Sequence, residues 1–273
     1  MARPSSRTAP VVLASLAAVS CWTAPARAAD DAAQHVDIVA RVPGTREEKT
    51  LAQLLRARDA FDRHRALAPA ATLGFRLYPR LGTADFARLR LTLVRGDERT
   101  PVALDDHQRF VLDPAWPSAD TDAVLQTNLP DGAVAWKVDV RSPGVPDDER
   151  RLGDLRLECE ADTFHGNLQR GLRTPASAVL DAQGKLCQDD DAQAWFAEWP
   201  IFGVTLVDGA RRRPLAYSYL HGSTGTMALA SLFDWSYHLR DRTYFLPLED
   251  TSWPDDTRVV LDPMDAPQAQ ASP

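Results

Sequence analysis

Residues 91–104 read LTLVRGDERTPVAL, and residues 204–217 read VTLVDGARRRPLAY. Set one above the other without a gap, they agree at seven of fourteen positions: Thr, Leu, Val, Gly, Arg, Pro and Ala. Each has an apolar alternation, a glycine-containing connection and a second run entered through Pro101 or Pro214, the pattern of a β-hairpin. A shorter echo, FVLDP at 110–114 and VVLDP at 259–263, stands at a different offset. Internal repeats of this size point to two related β modules. The competing explanation is that any two hairpins share turn chemistry.

Outward from these stretches the period stays at two. Leu73, Phe75 and Leu77 alternate with Gly74 and Arg76, and Leu89, Leu91 and Leu93 alternate with Arg90 and Thr92. Val134, Trp136, Val138 and Val140 alternate with Ala135, Lys137 and Asp139, and Leu155 and Leu157 with Arg156 and Glu158. Each run reads as a half-buried strand bounded by Gly, Pro or Asp turns. One segment departs from this period. Over 45–66, Leu51, Leu54, Leu55 and Phe61 form an apolar stripe with Arg58 inside it, and Thr45 with Glu48 reads as a capping box. The expected fold is therefore mainly β and β-sandwich-like, built from two related β modules with one N-terminal amphipathic helix. The expected modules are residues 70–165 and 195–265. They follow an N-terminal segment (29–69), are joined by a Gly- and Asp-rich connection (166–194) and are trailed by a polar tail (266–273) expected to be disordered.

The first 28 residues read as an export signal. Arg3 and Arg7 precede the apolar run APVVLASLAAVS (9–20), and Ala26-Arg27-Ala28 offers a small-x-small cleavage site. The apolar run is too short to span a bilayer. Ala18-Val19-Ser20-Cys21 loosely resembles a lipoprotein acylation site, so an anchor at Cys21 is the alternative to periplasmic or secreted release. Cleavage after Ala28 removes three of the 31 basic residues and leaves 28 against 38 acidic ones, a net charge of −10. That balance argues against nucleic acid and anionic lipid as partners. No further segment is apolar enough to span a membrane. Cys159 and Cys187 then remain, and in an oxidising compartment they pair most simply with each other.

Chemistry-bearing motifs are sparse. His221 and Ser223 in HGSTGT (221–226) are the catalytic candidates, and the alternative reading is an exported hydrolase using that loop or a loop carboxylate pair. The loop matches neither a nucleophile elbow nor a phosphate-binding loop. His107 lies among Asp105 and Asp106, a polar turn with no second ligand cluster, and His165 stands alone; no metal or cofactor is expected. Asp147-Asp148, Asp189 to Asp191 and Asp255-Asp256 read as solvated turns. Trp116 and Trp253, each before a proline in a polar setting, are candidates for stacking on a sugar ring. The expected role is a non-enzymatic envelope module binding a protein or carbohydrate.

Overall fold

A tight hairpin turn calls for positive φ, and Gly96 and Gly209 supply it, each at +55°. The computed structural model describes residues 46–79, 86–116, 122–163, 187, 193–220 and 237–264. In chain order the first part runs β1 (Arg46–Thr50), α1 (Leu51–Arg63), β2 (Thr72–Pro79), β3 (Leu91–Arg95), β4 (Glu98–Val102), β5 (Arg109–Phe110), β6 (Val124–Pro130) and β7 (Val134–Arg141). The second runs β8 (Glu149–Arg151), α2 (Leu152–Thr163), β9 (Trp195–Phe196), β10 (Ile201–Asp208), β11 (Arg211–Pro214), β12 (Thr243–Tyr244) and β13 (Arg258–Pro263). The described chain is mainly β, with two α-helices and several antiparallel sheets. Their strand orders are β1-β6-β3-β4, β11-β10-β13-β8, β5-β2-β7 and β12-β9.

The quoted stretches are the hairpins β3–β4 and β10–β11, and their registers coincide. Thr92 lies opposite Pro101 and Arg95 opposite Glu98; Thr205 lies opposite Pro214 and Asp208 opposite Arg211. The shorter echo does not carry over: 110–114 trails β5, whereas 259–263 lies inside β13.

Among the described residues two large apolar cores form, with a small third cluster of Tyr78, Phe196 and Leu239. The first gathers Leu51, Leu54 and Phe61 of α1 with Phe75, Leu77, Leu93, Leu125, Trp136 and Val138; the second gathers Trp195, Ile201, Leu206, Tyr244, Trp253 and Val259. Helix α2 serves both, with Leu157 and Ala161 in the first and Leu152, Leu155 and Cys159 in the second. This corrects the strand expected at 155–158. Alternation over four residues cannot distinguish a strand from a helix buried on two sides, where residues two apart point to nearly opposite faces. Strand β8 precedes α2 and pairs with β13, not with the strands before it.

The first helix is also shorter than expected. Residues 46–50 are strand, and the capping box is formed by Thr50 and Gln53: Gln53 N–H donates to Thr50 Oγ1 (3.2 Å) and Thr50 N–H to Gln53 Oε1 (3.0 Å). Sheet pairing of β1 with β6 takes the five residues before it. A disulfide joins Cys159 of α2 to Cys187, with Cα atoms 5.9 Å apart. No helix among the described residues is long and apolar enough to cross a membrane. The expected signal (1–28) with Cys21, Thr45, most of the connection 166–194 and the tail 266–273 lie outside the described residues.

Candidate functional site

The half-buried strands expected at β2 and β7 are buried on both faces. Their apolar residues line the first core, and the alternate positions, Arg76 on β2 with Lys137 and Asp139 on β7, are at most 7% exposed. Arg76 and Lys137 are direct cross-strand neighbours. Two cations so placed repel unless carboxylates reach them, and the carboxylates come from the other side. Helix α2 contributes Glu158 and Asp162, and Glu198 follows β9 by two residues. Arg109 of β5, Arg141 of β7 and Arg150 of β8 complete the group. Gly74 makes room for it, since a Cβ there would stand 2.3 Å from Arg109 Nε.

Glu198 is gripped by three groups. Arg76 donates to both its oxygens, Nη2 to Oε2 at 2.6 Å; Arg141 Nη2 donates to Oε1 at 3.2 Å; and His107 Nδ1 lies 3.2 Å from Oε2. Asp139 meets Arg109 Nε at 2.8 Å and Arg141 Nε at 3.1 Å, with Arg150 Nη2 at 3.9 Å. Glu158 Oε2 accepts from Arg150 Nη2 (2.7 Å) and from the Val140 backbone N–H (3.1 Å). Asp162 Oδ2 accepts from Lys137 Nζ (2.8 Å) and Gln193 Nε2 (3.0 Å).

Burial pushes the Asp139 carboxyl up, but the guanidinium groups of Arg141, Arg150 and Arg109 overcome it and hold the group at about 2. Glu198 shows the same contest: burial raises it, while the Arg76 hydrogen bonds and the charges of Arg76 and Arg141 bring it below the usual range. Glu158 goes the other way, because complete burial outweighs the pull of Arg150 and keeps its carboxyl raised. The arrangement keeps two carboxylates ionised far below neutrality and cross-links β2, β5, β7, β8 and α2 to the segment after β9.

The sequence candidates fall elsewhere. Trp116 is partly buried against the first core. Trp253 is 1% exposed, with the Arg211 guanidinium 3.6 Å above its ring, so the face expected to stack on a sugar is occupied by the chain itself. His107 does reach the ionic centre, through Glu198. Its turn is set by Asp105, whose Oδ1 accepts from the backbone N–H groups of His107 (2.9 Å) and Arg109 (2.8 Å). Asp255 binds Arg156 (2.6 Å) and Asp256 binds Arg151, rather than both being solvated only. His165, Asp189 to Asp191, His221 and Ser223 lie outside the described residues. Among the described residues no group of three or more His, Cys, Asp or Glu side chains is arranged to hold a metal ion.

The ionic centre was missed because Arg76, Lys137 and Asp139 sit at strand positions that alternation assigns to solvent, and their carboxylate partners come from distant segments. The readable trace was charge in runs of high β propensity, Arg76 in LGFRLY and Lys137 with Asp139 in VAWKVDV. No protein-family model matches this chain, and no curated protein or solved structure matches it either.

Proposed function

We propose that this chain is an exported envelope protein, non-enzymatic in itself, that serves as a binding or scaffold module built on two sandwich-like β units. The observation that supports this most is the ionic centre. Its carboxylates are engaged by cations and turned inward, and Asp139 and Glu198 are held far from the near-neutral range in which a general acid or base works. Such a centre suits a rigid frame that fixes how two cores meet. The disulfide fits an oxidising compartment, the periplasm or beyond. Cleavage after Ala28 would release the protein there, with acylation at Cys21 as the tethered form. The exposed aromatic rings of Phe202 and Tyr217 are available to a partner, an envelope protein or a carbohydrate.

The test is to crosslink the protein in its native envelope, purify it and determine its intact mass with and without reduction. The expected result is a chain beginning at Ala29, alkylated at two cysteines only after reduction, and crosslinked to a stoichiometric partner. Labelling by a serine-directed probe that Ser223→Ala abolishes would replace this reading with an exported hydrolase.

A further inference from the structure

We infer that the chain is a fused pair, in which one β-α-β unit occurs twice, over 46–130 and 149–263, and the surface of each copy is fitted to the other copy as in a two-fold dimer. The hairpins are only one of several correspondences. In each copy a strand runs straight into a helix, β1 into α1 and β8 into α2. Glu48 lies opposite Gln126 and Lys49 opposite Leu125, as Glu149 lies opposite Val260 and Arg150 opposite Val259. The first helical residue then bonds back to the residue before the partner strand, Leu51 N–H to Ala123 O (2.8 Å) and Leu152 N–H to Thr257 O (2.9 Å). Strand orders β1-β6-β3-β4 and β8-β13-β10-β11 are the same order.

Of the remaining strands, β2 and β5 correspond to β9 and β12, while β7 has no counterpart among the described residues of the second copy. Phe75 pairs with Phe110, and Trp195 with Tyr244, each as stacked rings. Two residues on, Leu77 N–H donates to Gln108 O (3.1 Å) and Ala197 N–H to Arg242 O (2.8 Å). These bonds make Arg76 equivalent to Phe196, and Tyr78 equivalent to Glu198. Shared turn chemistry explains a hairpin, but not strands, helices and bonds recurring in one order.

The contact between the copies is then reciprocal. Arg76 of the first binds Glu198 of the second, and Phe196 of the second packs on Tyr78 of the first, ring centroids 4.9 Å apart. One strand position meets the other position on its counterpart, twice, and the equivalent helices α1 and α2 also pack together. That reciprocity defines an isologous interface. The two contacts use different chemistry, ionic at one and aromatic at the other, as fused copies are free to do.

Interchangeable contacts are the test, in the full-length chain. Arg76→Phe with Glu198→Tyr rebuilds at the first contact the aromatic pair of the second. Phe196→Arg with Tyr78→Glu does the reverse. Each single variant should lower the folding equilibrium constant, on the order of 100-fold for those that strand one buried charge. Each double variant should regain most of its singles' loss, read by denaturant unfolding; the reverse pair serves if the first does not fold. If both doubles lose as much as their singles combined, the sites are not equivalent and the inference falls.

Discussion

Asp139 shows how much one side chain can organise. Three guanidinium groups converge on it in a place nearly closed to water. Asp139→Asn keeps the shape and removes the charge that balances them, so a loss of about 3 kcal/mol in unfolding free energy is expected in urea titrations. Gly153 presents a contest of two effects. An alanine there gains up to about 1 kcal/mol of helix propensity. Its Cβ, however, would stand 2.3 Å from the Leu67 carbonyl oxygen and 2.9 Å from Asp255 Cβ. The Leu67 oxygen is backbone and cannot swing aside, and overpacking typically costs 1–3 kcal/mol. Gly153→Ala is therefore expected to destabilise by about 1 kcal/mol net, and a variant more stable than the parent would refute that balance.

At the scale of elements, edge strands β4 and β11 are guarded alike. Leu215 N–H bonds to Val204 O, so the alternate residues Arg212 and Pro214 turn their backbone groups away from the sheet. Pro214 has no N–H to offer a foreign strand, and Pro101 holds the equivalent position on β4. Pro214→Val should restore that donor and produce concentration-dependent association, measurable by light scattering. These hairpins were legible in the sequence because glycine, proline and period-two alternation coincide in them. Helix α2 was not, because a helix apolar on two sides and threaded with Asp154, Glu158 and Asp162 shows no single stripe. The start of α1 was misread because TREE and TLAQ both satisfy a local capping pattern, and only pairing with β6 selects the second. The strand-helix correspondence did leave a trace, Glu-Lys-Thr-Leu-x-x-Leu at 48–54 against Glu-Arg-Arg-Leu-x-x-Leu at 149–155. Its weight is visible only once the registers are known. The trace of the ionic centre, charge within runs of high β propensity, marks Arg76, Lys137 and Asp139 but not their partners, since what pairs the charges is contact between distant segments.

For the molecule as a whole, the sharing of α2 between cores predicts that they melt together. Calorimetry should give one transition, and two separated transitions would show that the cores hold independently. Acid should act through opposing groups. Asp139 and Glu198 have depressed carboxyls, so their stabilisation is present above the unfolded value near 4 and is lost as pH falls toward 2. Glu47 and Glu158 are raised by burial, so their protonation favours the folded form and is complete below about 4. Melting temperature should hold or rise slightly from neutrality to about pH 4.5, then drop below 4, with a shallower drop in Asp139→Asn. The disulfide has a consequence of another kind. Cys159 and Cys187 are 28 positions apart along the chain, so a protease that clips any bond between them leaves a single covalent molecule. Such a nick would be silent on a non-reducing gel, and the clipped protein would part only when a reductant opened the bridge.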